Sequence, residues 1–256
     1  MRRCLSTLKK REPKRVAWID DLKRMAQGRN LNLLFDVGAN NGLTTSVFVE
    51  NFPGASVRAF EPIPEVADAA RKRHEGNPHV TVECLALDQS SGKRVFHVNS
   101  FSETSSFLDS SADLKERTYL NTCREIEVTA SSMDDYCASK SITTIDLLKL
   151  DVQGCELAVL KGSPKMLPHV GAVFAEVLFL KYYEGQCSFS EVDDLLRQHG
   201  FWLYRFYESA HADDGRLLQS NGLWLNNALF PHAGRPLDGW EKQLNSRVSG
   251  ASQPAR

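Results

Sequence analysis

A chain of 256 residues with 42% hydrophobic residues, 25% charged residues and a formal net charge of −1 has an ordinary globular composition. It is long enough for one generous core or two small ones. Near-neutral charge gives no general electrostatic reason to expect nucleic acid or an anionic membrane as partner. No apolar run reaches the roughly 18 residues that a spanning helix needs. The six cysteines include no Cys-x-x-Cys pair, which argues against a zinc ribbon and a disulfide scaffold. A cytoplasmic protein with reduced thiols is expected.

Residues 1–30 read as a basic leader, with Arg2, Arg3, Lys9, Lys10, Arg11, Lys14 and Arg15 crowded together, followed by a cap helix. The leader lacks a following apolar segment, so a secretory signal is not expected. Val16, Ile19, Leu22 and Met25 recur at helical spacing and stop at Gly28. Leu31 to Val37 is the first core strand, and a helix begins at Leu43 directly after a turn. Ala55 to Phe60 is a second strand, stopped by Glu61-Pro62, and Pro64 suits the first turn of the next helix. Val80 to Leu87 is a third strand. Arg94 to Val98 and Glu125 to Thr129 fit a partly exposed hairpin, within an insertion over about 93–130. The Ser/Thr-rich stretch Asn99 to Thr122 between them is long for a loop in a compact domain, which suggests function or disorder.

Ser132 to Ala138 opens with an N-cap residue and forms a short helix. Ile145 to Leu150 is nearly all apolar, as a strand buried on both faces would be. The helix Glu156 to Lys161 follows, then a strand Gly171 to Val177. A helix Glu191 to His199, capped by Ser190, comes before a last pair of strands, Phe201 to Phe206 and Leu223 to Phe230. Strand–helix alternation argues for an α/β fold with a parallel sheet. The final pair lacks a connecting helix, so one of its strands is expected to be antiparallel. One domain over 31–230 is expected, with a polar tail over 231–256.

In such a sheet, ligands sit outside the carboxyl ends of the strands. Asp36, Glu61, Asp88, Asp151 and Glu176 all fall at or near such ends. The turn Gly38-Ala39-Asn40-Asn41-Gly42 has Asn40 and Leu43 where a dinucleotide fingerprint needs glycines, and it lacks the Gly-Lys-Ser/Thr of a phosphate loop. What remains is Asp-x-Gly-x-x-x-Gly, with Glu61 placed to accept ribose hydroxyls. A carboxylate-lined crevice suits a nucleoside that carries positive charge and little phosphate, which describes S-adenosylmethionine.

The runs Phe35-Asp36-Val37-Gly38-Ala39-Asn40-Asn41-Gly42, Ala59-Phe60-Glu61-Pro62 and Asp146 to Glu156 (DLLKLDVQGCE) resemble the successive motifs of the FkbM-type methyltransferases. Val159 to Ser163 and Glu176 to Gly185 continue the match, and the resemblance covers about positions 31 to 230. It implies a class I methyltransferase (Rossmann-like) fold, with a mostly parallel seven-stranded sheet, an antiparallel strand near the C-terminus and flanking helices. The implied activity is S-adenosylmethionine-dependent methylation, usually at oxygen, of sugars, polyketides or similar metabolites. By that resemblance Asp36, Gly38, Ala39, Asn40 and Gly42 would form the cradle of the methionine end. Glu61 would hold the ribose, and Asp88 would lie near the adenine. Gln153 departs from the family, which more often has Glu there.

Methyl transfer to a hydroxyl needs in-line positioning and a place for the acceptor's proton. Asp151 is the first choice for that base, Glu176 a weaker one. Lys149 shares a strand face with Asp151 and would act with it or form a structural ion pair. His97, in the exposed hairpin, would reach the acceptor pocket or simply be a surface histidine; His169 lies in a connecting loop with no partner implied, and His211 reads as solvated rather than metal-bound. Tyr182, Tyr183 and Phe179 would line an acceptor wall or close the core, and Thr104, Ser105 and Ser106 would cover the acceptor or simply be exposed. A small-molecule acceptor is expected, and self-association is left open. The other readings are a domain that keeps the crevice without catalysis and, more remotely, an NAD-linked oxidoreductase.

Overall fold

A computed structural model describes residues 16–114 and 118–230; the basic leader before residue 16 and the polar tail lie outside them. The cap helix is Ala17–Ala26 (α1), and Trp18, Ile19, Leu22 and Ala26 form its buried stripe. Trp18 stacks on Phe174 with ring centroids 4.0 Å apart. Each large apolar side chain buried this way stabilises the fold by roughly 1.5–3 kcal/mol, so α1 is packed onto the sheet.

The first half of the domain alternates Leu33–Val37 (β1), Leu43–Asn51 (α2), Ser56–Phe60 (β2), Pro64–Arg73 (α3) and Val80–Glu83 (β3). A short strand Ala86–Leu87 (β4), then Gly92–Asn99 (β5) and Thr122–Ser131 (β6), lead to the helix Met133–Ser139 (α4). The second half holds Ile145–Leu150 (β7), Glu156–Lys161 (α5), Val170–Leu178 (β8), Phe189–Gln198 (α6), Phe201–His211 (β9) and Leu217–Asn226 (β10).

Seven strands form one sheet in the order β3-β2-β1-β7-β8-β10-β9. The pairs β1–β2, β2–β3, β1–β7 and β7–β8 are parallel, whereas β10 runs antiparallel to both neighbours. This is the class I methyltransferase arrangement. The chain winds outward from β1 through β2 to β3, then crosses back to β7 on the other side of β1. That reversal opens a crevice between the carboxyl ends of β1 and β7. Every residue of β7 is buried, and its two charged side chains both have partners. Asp146 accepts from the backbone N–H of Asn32 and Leu33 (2.7 and 3.1 Å) and pairs with Arg29, which fixes the approach to β1.

Three sequence expectations shift. The last two strands start or end elsewhere than expected, at Phe201–His211 and Leu217–Asn226. The strand expected over Val80 to Leu87 is two strands: β3 stays in the main sheet, and β4 joins a separate small sheet ordered β4-β6-β5. Ala86 and Leu87 pair with Ala130 and Ser131 rather than with β2. The cap of α6 is Ser188, not Ser190. Ser188 Oγ accepts from the Glu191 N–H while Glu191 Oε2 accepts from the Ser188 N–H at 2.9 Å, a reciprocal capping box. The expected N-cap of α4 is found, with Ser132 Oγ accepting from the Asp135 N–H at 3.0 Å. Among the described residues no helix is long and apolar enough to cross a membrane.

Candidate active site

Two turns, one after β1 and one after β7, meet at the sheet's switch point. The Gly38 and Ala39 N–H groups donate to Phe60 O at 3.1 and 3.0 Å, tying the first turn to the end of β2. Gly38 has φ +74°, and a Cβ there would lie 1.8 Å from the Asp151 carbonyl oxygen. Close approach of the second turn therefore dictates glycine. Asn40 also sits in the left-handed region, at φ +46°, which an Asn tolerates better than most residues. Its Oδ1 accepts from the Asn41 N–H, and its Nδ2 donates to Ser102 Oγ at 3.0 Å.

Glu61 folds back under this turn. Its Oε2 accepts from the Asn40 N–H at 3.0 Å and its Oε1 from the Ile63 N–H at 2.9 Å. Burial pushes its pKa up to about 7, against the lowering effect of those two N–H donors. Asp36 is fully buried beneath the turn and does not reach the crevice. Its Oδ2 accepts from Thr45 Oγ1 at 2.7 Å, and its Oδ1 lies 3.1 Å from Lys149 Nζ. Lys149 also donates to Gly38 O at 3.0 Å and stands 3.5 Å from Asp151 Oδ2. Burial would lower its pKa, but Asp36 and Asp151 outweigh that and push it up to about 12. It remains an ammonium that joins the two turns.

The second turn begins with the Asp151 N–H donating to Val37 O at 3.1 Å. Buried Glu156 caps it by accepting from the Val152 N–H at 2.9 Å. The Asp151 side chain is 40% exposed, accessible enough to meet a ligand. Gln153 is at φ +54°, and its side-chain nitrogen donates to Asp151 Oδ1 at 2.8 Å and to Glu176 Oε2 at 2.7 Å.

The crevice has a cavity volume of about 80 Å³. Its floor is Gly38, Asn40, Glu61, Asp151 and Gln153, and its apolar walls include Phe60, Ile63, Leu87, Phe96 and Phe107. Ser102, Glu103 and Ser105 reach it from the stretch between β5 and β6. The long Ser/Thr-rich segment thus lies over the site. It is held by Asn99, whose N–H donates to Ser105 Oγ at 3.0 Å and whose side-chain nitrogen donates to Thr104 O at 2.7 Å.

Of the residues singled out from sequence, Gly38, Asn40, Glu61 and Asp151 line the crevice. Ala39 and Gly42 shape the turn, the Gly42 N–H donating to Ala39 O at 2.9 Å. Lys149 and Asp36 lie below it, and half-buried Glu176 stands behind Gln153. Asp88 is not brought in. It is buried in an ion pair with Arg94, and Leu85, Ala86 and Leu87 line the crevice in its place. Tyr183 is wholly buried, with its hydroxyl 2.8 Å from Gln153 Oε1 and 2.9 Å from Thr104 O. Phe179 is 42% exposed. Phe96 and Phe107 leave no signal as crevice walls in the sequence beyond the alternation of the hairpin.

Residues 36–203 match the family model described as the methyltransferase FkbM domain. Similar curated proteins include the 2-O-methyltransferase NoeI of Sinorhizobium fredii (strain NBRC 101917 / NGR234), 26% identical over 64% of this chain and 70% of that protein. Another is the 31-O-demethyl-FK506 methyltransferase FkbM of Streptomyces tacrolimicus, 32% identical over 66% of this chain and 72% of that protein. Among solved structures, the magnesium protoporphyrin IX methyltransferase (ChlM) from Synechocystis PCC 6803 with bound SAM is 12% identical, with a TM-score of 0.45 over 82% of this chain and 78% of that one.

Proposed function

Because the chain belongs to the family defined by the methyltransferase FkbM domain, we propose that it transfers a methyl group from S-adenosylmethionine to a hydroxyl oxygen of a small metabolite or sugar. The observation that carries this reading is the crevice itself, which joins an apolar slot to a carboxylate-bearing floor at the switch point. Its donor set fits the cofactor. Ile63, Leu87, Phe96 and Phe107 suit the faces of a purine, Glu61 suits ribose hydroxyls, and the Gly38–Asn40 backbone suits the amino acid end. Asp88 has no part in this version of the site.

When bound, the cofactor supplies an electrophilic methyl group on a sulfonium and leaves as a thioether. Asp151 is the group that takes the acceptor's hydroxyl proton. Its Oδ1 is oriented by Gln153, and its charge is balanced by Lys149. Lys149, held as an ammonium, positions Asp151 and accepts no proton itself. Both curated relatives carry out O-methyl transfer by name, which supports oxygen as the methylated atom, and FK506, the scaffold that the second one methylates, is a small molecule.

Calorimetric titration with S-adenosylhomocysteine tests the crevice, and transfer of labelled methyl across a panel of hydroxylated metabolites tests the reaction. No heat with the wild-type protein would overturn the reading. Heat without transfer to any acceptor would favour a cofactor-binding domain that has lost catalysis.

A further inference from the structure

The side-chain amide of Gln153 stands between two carboxyl groups, and both its nitrogen and its oxygen have partners. Its nitrogen donates one hydrogen to Asp151 Oδ1 and the other to Glu176 Oε2, at 2.8 and 2.7 Å. Its Oε1 faces the Tyr183 hydroxyl at 2.8 Å, and its main-chain oxygen accepts from Ser106 Oγ at 2.8 Å. The reverse amide orientation would turn an oxygen towards the Asp151 carboxylate, so the network fixes this one. Cationic compensation is one-sided. Lys149 lies 3.5 Å from Asp151 and pairs with Asp36. The hydrogen-bond partners of Glu176 are instead the neutral amides of Gln153 and Gln219, and among the described residues it forms no ion pair.

Resting on the methyl-transfer reading, we propose that Gln153 is a positioning residue that ties Asp151 and Glu176 into one acid–base pair, with the negative charge on Asp151 and a proton on Glu176. Asp151 then stays ionised and oriented towards the acceptor, while Glu176 offers a hydrogen-bond donor beside it. The groups facing Glu176 are Asp151 and Gln153 from the turn after β7, Lys149 from β7, Glu156 from α5, Tyr183 from the segment after β8 and Gln219 from β10. Burial, then Asp151 and Glu156, hold the Glu176 carboxyl well above its usual range, against the weaker pull of Lys149 and Gln153. Burial chiefly, with the charge of Asp151, keeps the Tyr183 hydroxyl neutral. A Glu at position 153 would set a third acid between the first two and require one more proton.

Infrared spectroscopy of the protein at pH 8 reads this directly. A protonated-carboxyl stretch is expected in the wild type and is lost in Glu176→Gln. In Gln153→Leu, loss of the amide donors should raise the titration midpoint of that band by about one pH unit. Mere loosening of the site, with water entering, would lower it instead. Gln153→Glu, nearly isosteric, should gain a second band, and it decides the matter should Gln153→Leu not fold. The proposal is overturned if Glu176→Gln loses no band, if the Gln153→Leu midpoint stays or falls, or if Gln153→Glu gains no band. Titration of the same wild-type sample with S-adenosylhomocysteine separates the two claims. Absence of heat removes the methyl-transfer reading, whereas the infrared result bears on the carboxyl pair alone.

Discussion

The Lys149 ammonium lies 3.1 Å from Asp36 Oδ1, directly beneath the turn that forms the crevice floor. Both residues are buried, Asp36 completely. Removing one partner leaves a buried charge without compensation, which typically costs 3–5 kcal/mol. Lys149→Met should destabilise the fold by about that amount, measured by denaturant unfolding. Adding Asp36→Asn should recover a large part of it, because neither buried charge then remains at the pair. Equal stability of the single and double variants would contradict a charge-compensation role.

Glu61 couples the same turn to pH. Its carboxyl titrates near 7 in the folded chain against an ordinary 4.5, chiefly through burial. The folded state therefore binds the proton more tightly. The stability that proton contributes is complete below pH 4.5 and is lost as pH rises through 7. A shift of this size corresponds to roughly 3 kcal/mol. Glu61→Gln should flatten this part of the stability–pH curve. Cofactor binding should show the opposite slope, since ribose hydroxyls are donors and favour the carboxylate. Affinity for S-adenosylhomocysteine should rise across pH 6–8 with release of a proton, read by calorimetry in buffers of different ionisation enthalpy.

Asp151→Asn keeps the shape of the side chain and removes its basicity. Turnover should fall about 10²–10⁴-fold, the range a general base contributes, while the dissociation constant for S-adenosylhomocysteine changes only a few-fold. Steady-state kinetics with the acceptor found by screening, alongside calorimetry, separates the two. Unchanged turnover would assign the proton elsewhere.

Legibility in the sequence followed the range of the interactions. The turn from Gly38 to Gly42, Glu61 and Asp151 were readable because each is fixed by its own strand end and the few residues after it. Asp36 lies beneath the crevice rather than in it, and because β1 is buried on both faces, alternation does not tell inside from crevice. Asp88 stands outside the crevice because Ala86 pairs with Ala130 across the small sheet, a contact that local pattern does not encode. Gln153 registered only as an unusual residue. Its partners Glu176 and Tyr183 are 23 and 30 residues away, and only the folded sheet brings them to it.

Asn40 joins the crevice floor to its cover, so its two roles can be separated by substitution. Its left-handed backbone at φ +46° suits Asn, and its side chain donates to Ser102 Oγ at 3.0 Å from the floor to the covering segment. Asn40→Ala removes the hydrogen bond and also places an ordinary Cβ residue in a conformation that costs about 1–2 kcal/mol. Asn40→Gly removes the same hydrogen bond but accepts the backbone angle readily. Stability should therefore fall more in Asn40→Ala than in Asn40→Gly. Amide hydrogen exchange over residues 100–106 should accelerate equally in both, because each has lost the tie to Ser102. Weaker cofactor binding should follow the exchange rate rather than the stability if the covering segment helps to hold the ligand. If Asn40→Gly binds the cofactor as the wild type does while its covering segment exchanges faster, that segment serves the acceptor and not the methyl donor.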